Sequence, residues 1–540
     1  MQIKHAPTFE LPPDIPYDAF GRTGKFGKLF PFIRPWHWKG SINPVSFFKN
    51  LGDSKFLFSS NGVDDDNPNI PAAYTYFGQF LSHDLSFDPT SIGERKTDPA
   101  MEWNFRSAAF DLDMIYGGGI FMSPHLYEKD IPVFIMGKSS SSSPPFQDFW
   151  DLQRNIQGSP IIPDNRNNDN VMVSQLHVAL QLLHNRFVHA FMQDNNYTPA
   201  QIFTGARHET IRHYQWVILH DYLPTLICPK VYASVLKNKA RTYSTSRLPR
   251  WKKLLSFFFI NNPVFDKREW VRSIFHTRDH PYIPVEFSAA AFRFGHSQVA
   301  STYQFNQDTF GAIMPDPDQK KPVFFVDWSL FFNKQNLSHQ INTNFSSAFE
   351  REVNIHGEGF KLAALDFLRG WKLNLPSGQD VARKMGVREL SKSDWKKLDA
   401  QFKEFPYKKL QQHFQQHTPL WYYILAEAQS QAEGMRLGPL GSHLVAETII
   451  GILYADPTSF LNIEPDWKPD KVKTGQSEEF TLEDLLEMAG VLHGAKIPTL
   501  TKPLNVPPPP PDKPWPPALP PRLASSVHCL LSDSGLPSSD

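Results

Sequence analysis

Apolar residues recur every three or four positions through most of this chain, the period of a helix with one face turned to a core. In "QLHVALQLLHNRFVHAFM" the positions Leu176, Leu180, Leu183, Phe187 and Phe191 keep that spacing, and "ARHETIRHYQWVILHDYL" continues it. "GSHLVAETIIGILY" is apolar with few charges, which predicts a buried helix. "FTLEDLLEMAGVL" opens on Thr481 as an N-cap with Asp484 three residues on. The Asp/Asn/Pro-rich "NGVDDDNPNIP" predicts a loop ending in a helix start at Ala72. Strand-like alternation is scarce and no fixed-period repeat occurs. The pattern therefore predicts a mainly α protein with few short strands, and a solenoid is disfavoured.

Composition sets the scale. With 540 residues, 41% hydrophobic and 14% aromatic, the chain can bury a large core. The expected division is an N-terminal extension (1–60), one large domain (61–500) and a proline-rich, disordered tail (501–540). Within that tail, "PPPPPDKPWPPALPPR" (Pro507–Arg522) has polyproline II composition. A Ser-rich patch, "KSSSSSPP" from Lys138 to Pro145, reads as a mobile loop. Formal net charge is zero, so no global field points to nucleic acid or an anionic membrane. Two cysteines, Cys228 and Cys529, exclude a disulfide-stapled scaffold. The start lacks an apolar signal region and no run approaches the ~18 apolar residues of a membrane span. The expectation is a cytoplasmic protein, or one secreted without a signal peptide.

Chemistry concentrates in a few segments. In "FGQFLSHDLSF", Gln79 and His83 share a helix face at i and i+4, while Asp84 is turned about 100° from His83. With twenty histidines in the chain, any one of them in an apolar helix (His83, His177, His184, His296) is ordinarily a satisfied core residue. His296 follows the small-residue run "SAAAFRFG", which lets a flat group approach closely. Arg166 sits among carboxylates and amides in "PDNRNNDN", before the helix from Val171. Asp366 and Arg369 stand at i and i+3 in "LAALDFLRGWKLNLPSGQDV". In "RSAAFDLDMIYGGG" the alternating Ser107, Ala109, Asp111 and Asp113 offer hard oxygen donors, and Asp84 is a further carboxylate for a Ca²⁺ site.

In this order, from about residue 70 to about residue 455, these segments together with "YLP" and "LGPLGSHLVAETIIGIL" resemble the animal haem peroxidase family (the peroxidase–cyclooxygenase superfamily), on its myeloperoxidase-like peroxidase branch. The resemblance implies a large single-domain helical haem peroxidase fold. It makes His83 the distal base, Arg166 the group that stabilises charge as the O–O bond breaks, and Gln79 a lining of the distal cavity. His296 becomes the proximal ligand of the haem iron. Asp84, Ser107, Ala109, Asp111 and Asp113 match the family's calcium site, and Arg293 and Arg369 match arginines near the haem propionates.

Departures refine the expectation. Ser82 and Asp169 occupy the two positions where mammalian relatives carry haem-esterified carboxylates, and Asn170 occupies that of the linking methionine. Haem b is thus expected with at most one ester, through Asp169. Bromide, iodide or thiocyanate is favoured over chloride as donor. Asp366 replaces an Asn as the proximal partner, which gives His296 more anionic character. Hydrogen peroxide and a small halide or aromatic donor are the implied substrates. Fatty-acid dioxygenases of the superfamily need a tyrosine three residues before the proximal His, where this chain has Arg293. That activity is the second expectation, with Tyr303 as its radical carrier. A non-enzymatic interaction protein on the same scaffold is the third.

Overall fold

The computed structural model describes residues 23–495, apart from short interruptions and the longer stretches 89–102, 139–148, 243–282 and 313–324. The Ser-rich patch after Lys138, the proline-rich tail and Cys529 lie outside the described residues.

The expected helices form where the apolar period is strongest, and their caps explain where they start. Helix α1 (Pro44–Leu51) begins at Asn43, whose side chain accepts from the amides of Val45 and Ser46. Helix α2 (Ala72–Leu85) carries the "FGQFLSHDL" motif. Helix α3 (Val171–Phe191) is capped by Asn170, whose Oδ1 accepts from Val173 N. Its five periodic residues Leu176, Leu180, Leu183, Phe187 and Phe191 are all buried, each contributing roughly 1.5–3 kcal/mol of transfer free energy. Helix α4 (Pro199–Val217) opens with a Thr198/Gln201 capping box and packs along α3.

Past α4 the chain makes one π-helical segment, Ile218–Tyr222. Asp221 in that segment accepts from the Tyr74 hydroxyl at 2.9 Å and from Leu482 N at 2.7 Å. Helices α5 (Leu362–Lys372), α6 (Leu420–Ala432) and α7 (Pro439–Ala455) complete the core. Glu427 of α6 is wholly buried and accepts from Leu440 N and Gly441 N, where the N-terminal dipole of α7 favours an anion. Helix α8 (Leu482–Ala489) starts with the Thr481/Asp484 capping box expected from sequence and packs on α3.

Strands are limited to five two-stranded ribbons among the described residues; one pairs Thr23–Lys25 with Trp103–Ser107. Residues ahead of position 61 enter the same core: Leu29, Phe30, Phe47, Phe48, Leu51 and Phe58 are buried. The buried Glu286 fixes this segment by accepting from Leu29 N and Phe30 N. No helix of the described residues is long and apolar enough to cross a membrane.

Gly78 sets how closely α2 crosses the π segment. A Cβ built there would lie 2.4 Å from the Tyr222 hydroxyl, with the next ring atom at 3.4 Å. Gly78→Ala is expected to destabilise the protein by about 1–3 kcal/mol through overpacking. In a Tyr222→Phe background the same change should cost nothing or gain up to about 1 kcal/mol from helix propensity. A denaturant double-mutant cycle reads the coupling, and equal costs in both backgrounds would disprove this crossing.

Candidate active site

One turn of α2 serves two sites, as the helical period requires. His83 is buried, and its Nδ1 donates to Asn167 Oδ1 at 2.9 Å. Burial, reinforced by the charge of Arg166, pushes its pKa down to about 4, so the imidazole is neutral near pH 7. With the proton on Nδ1, Nε2 carries the lone pair of a base. Gln79, one turn earlier, accepts on Oε1 from Asn170 Nδ2 at 3.1 Å. Asn170 therefore caps α3 with its carbonyl and orients Gln79 with its amide, at the position where the resemblance places a haem-linking methionine. Ser82 is half-buried on the same helix, and Asp169 is exposed at the end of the 3₁₀ turn Asn165–Asn168.

Arg166 lies close to His83, but its charge is already engaged. Asp164 takes Nε at 3.0 Å and Nη2 at 2.6 Å, while Nη1 and Nη2 also donate to the carbonyls of Ser86 (2.8 Å) and His83 (3.0 Å). These carbonyls lie at the C-terminal end of α2, where a cation is favoured. The guanidinium also covers the Phe87 ring at 4.5 Å. Asp164 is shared with Arg106, at 2.7 Å, and the two arginines hold its carboxyl well below the usual range despite burial.

His296 lies in the 3₁₀ segment Ala291–Gln298, which packs against α2, rather than in an α-helix. Its Nδ1 donates to the fully buried Asp366 Oδ2 at 2.6 Å. Arg369 Nη1 (3.2 Å) and Arg293 Nη1 (3.5 Å) converge on the other oxygen of the same carboxylate. Burial raises the Asp366 pKa, but His296 and the two arginines outweigh it and hold it below the ordinary range. Ala289, Ala290 and Ala291 are packed in the core, so the small-residue run does not itself form an open face. Within the segment, a Cβ built at Gly295 would meet nothing within 4 Å among the described residues.

Fixing the His296 proton on Nδ1 makes Nε2 the nitrogen that carries the lone pair. The side chain is 27% exposed while its partner Asp366 is 0% exposed. This donor chemistry fits an axial ligand of haem iron.

The third cluster holds Asp84, Asp111 and Asp113, with carboxylate oxygens within 4.8 Å of one another. The backbone loops here instead of running extended. The strand ends at Ser107, Leu112 takes a left-handed conformation (φ 57°), and a short helix starts at Asp113. Ser107 Oγ donates to Asp111 Oδ1 at 2.9 Å, and Ser107 N donates to Asp113 Oδ2 at 3.2 Å. Tyr214 donates to Asp84 Oδ2 at 3.1 Å, and Ala109 is buried. Asp84 Oδ1 and Asp113 Oδ1 are buried and make no hydrogen bond among the described residues, with Arg106 Nε 3.6 Å from Asp113 Oδ1. Burial, with repulsion from Asp111, pushes Asp84 well up and Asp113 to about 7. Orphaned buried carboxylate oxygens beside a serine hydroxyl form a hard-donor set that fits Ca²⁺.

Sequence reasoning missed Asn167, Asp164, Arg106 and Tyr214, and read His177 as a satisfied core histidine, whereas its Nε2 has no hydrogen-bond partner among the described residues. Asn167 lies 84 residues from His83 and Tyr214 130 residues from Asp84, so no local period connects these pairs. The available signal was the density of Asn and Asp around Arg166.

Comparison with known proteins fits this geometry. The sequence model of the animal haem peroxidase family matches residues 92–462, well over half of the chain. That span begins after α2, so Gln79, His83 and Asp84 rest on motif and geometry. Chorion peroxidase of Drosophila melanogaster is 23% identical over 239 residues, which is 42% of this chain but only 26% of that protein. Peroxidase A from Dictyostelium discoideum superposes with a TM-score of 0.59 at 15% identity, covering 89% of this chain and 96% of that one. A fatty acid alpha-dioxygenase from Oryza sativa superposes with a TM-score of 0.53 at 16% identity, covering 84% of this chain and 77% of that one. At such identities the structural likenesses show the shared helical fold. From its sequence, the chain belongs to the animal haem peroxidase family.

Proposed function

We propose that this protein is a haem-dependent peroxidase that reduces hydrogen peroxide and oxidises a small donor, either an aromatic compound or a halide such as bromide, iodide or thiocyanate. The observation that carries this reading is the proximal cluster, in which Asp366 fixes His296 at 2.6 Å and Arg293 stands where the dioxygenase chemistry needs a tyrosine.

His296 would hold the iron, with Arg293 and Arg369 near the propionates. Haem bound there would supply the metal at which the peroxide O–O bond is cleaved and the oxidising equivalents that the donor then consumes. The protein's own contribution is proton control. With haem held there, His83 Nε2 would accept a proton from bound hydrogen peroxide and give it back so that one oxygen could leave as water. Arg166 stabilises the negative charge that develops there, an effect moderated by its pairing with Asp164. Asp366 makes His296 a stronger electron donor. Ca²⁺ at Asp84, Ser107, Ala109, Asp111 and Asp113 would tether the helix that carries His83.

A second reading, dioxygenation of a fatty acid, draws on Tyr303. Its ring packs against that of Tyr76 at 5.6 Å, and Tyr76 precedes Gln79 and His83 at helical spacing on α2. The two readings separate in one experiment on the haem-reconstituted full chain. A histidine-haem Soret band that shifts on one equivalent of hydrogen peroxide, and recovers on adding bromide or guaiacol, supports the peroxidase. His296→Ala should abolish haem uptake or grossly shift that band. Haem that ignores peroxide while the protein consumes dioxygen with a fatty acid would transfer the assignment to the second reading.

A further inference from the structure

Behind His83 lie two buried groups for which the reaction above has no role. Asn167 is wholly buried, and its amide touches two imidazoles: Oδ1 accepts from His83 Nδ1 at 2.9 Å, and Nδ2 donates to His177 Nδ1 at 3.1 Å. His177 is wholly buried on α3, and its Nε2 meets no hydrogen-bond partner among the described residues.

A primary amide has one accepting end and one donating end, so it dictates the tautomer of any imidazole it contacts. With the carbonyl toward His83, the His83 proton is held on Nδ1 and Nε2 is a base. With the amide turned over, Nδ2 would donate to His83 Nδ1, the proton would move to Nε2, and His83 could only donate. His177 leaves this choice open. In the present orientation it accepts on Nδ1 and must bury an unpaired Nε2–H, which costs about 1–3 kcal/mol. In the turned orientation His177 would donate from Nδ1 and bury an unpaired Nε2 lone pair instead, at a cost of the same order. The two states are therefore close in energy, and a proton-bearing ligand that hydrogen-bonds to His83 Nε2 selects the first.

We infer that Asn167, seated between His83 and His177, sets which nitrogen of His83 carries the proton and thereby whether His83 can accept one from a bound ligand. Asn167 and His177 are positioning residues, and the inference rests on the proposed placement of His83 beside a haem.

Cyanide tests it without turnover. Hydrogen cyanide reaches ferric haem as a neutral acid; its H–C bond breaks as carbon binds iron, and the proton must pass to His83 Nε2. Nitric oxide carries no proton and reports access alone. In the haem-reconstituted full chain, Asn167→Leu is expected to slow cyanide association at least about tenfold and leave nitric oxide unchanged. Asn167→Asp, whose two oxygens both accept, should restore the cyanide rate. A wild-type cyanide rate in Asn167→Leu would overturn the inference, as would equal slowing of both ligands or no rescue by Asp. If cyanide follows this pattern but peroxide is ignored, the inference stands and the peroxidase reading falls. A chain that takes up no haem overturns both.

Discussion

Asp366→Asn is expected to produce the largest loss of stability of any single isosteric change in this protein. The carboxylate is fully buried and faces His296, Arg293 and Arg369. Removing its charge leaves two arginines converging on a neutral amide. Breaking a buried pair in this way costs about 3–5 kcal/mol, here toward the lower end because each of the three partners keeps some solvent exposure. The pH dependence identifies the cause. Asp366 has a depressed pKa in the folded state, so its contribution is present above the unfolded carboxylate value near 3.9 and is lost as pH falls through the lower folded value. Urea unfolding should show a large difference between wild type and Asp366→Asn at pH 7 that shrinks toward pH 3. A difference that is the same at both pH values would point to packing rather than charge. With haem bound, the variant should also have a higher reduction potential, because a neutral acceptor leaves His296 less anionic.

The second large effect concerns Asp84, Asp111 and Asp113, with the opposite sign in pH. Asp84 and Asp113 have raised pKa values in the folded state. Their stabilisation is complete below the unfolded value and is lost as pH rises through the folded one, about 7 for Asp113. In chelator, the melting temperature should therefore fall between pH 6 and pH 8. Added Ca²⁺ should reverse the fall at pH 8, by about 2.7 kcal/mol at roughly a hundredfold excess over Kd. Binding should release protons. Asp84→Asn should flatten the pH dependence and abolish the Ca²⁺ effect. A melting temperature indifferent to Ca²⁺ at pH 8 would remove the cation from this site.

How much of this was legible in the sequence depends on distance along the chain. The helical period places Gln79 beside His83 and turns Asp84 away, and both statements hold in the structure. Thr481 and Asp484 form the capping box that their spacing announced. The pairing of His296 with Asp366 spans 70 residues and came from the family resemblance, since no local rule connects a 3₁₀ turn to a distant helix. The alternation at 107–113 suggested an extended or looping backbone, and Leu112 decides for the loop by adopting the left-handed region that β-rich segments avoid. Arg166 was legible as a cation near the site. Its neutralisation by Asp164, two residues earlier, was not, because the same dipeptide spacing in an exposed loop would leave both groups in water.

Arg106 links two parts of the molecule that have been described separately. Its Nε lies 3.6 Å from Asp113 and its Nη2 lies 2.7 Å from Asp164, the carboxylate that also holds Arg166. Arg106 Nε already donates to Asp164 at 3.0 Å and meets Asp113 only at the longer distance, so a cation at the aspartates would take over that longer contact, draw Arg106 further toward Asp164 and loosen the grip of Asp164 on Arg166. The freed guanidinium would then attract an anion more strongly. Such coupling is reciprocal: a halide or peroxide anion at Arg166 would tighten the hold on the cation by the same factor that the cation tightens the hold on the anion. The cation site would then act on the surroundings of Arg166 as well as tether the helix that carries His83.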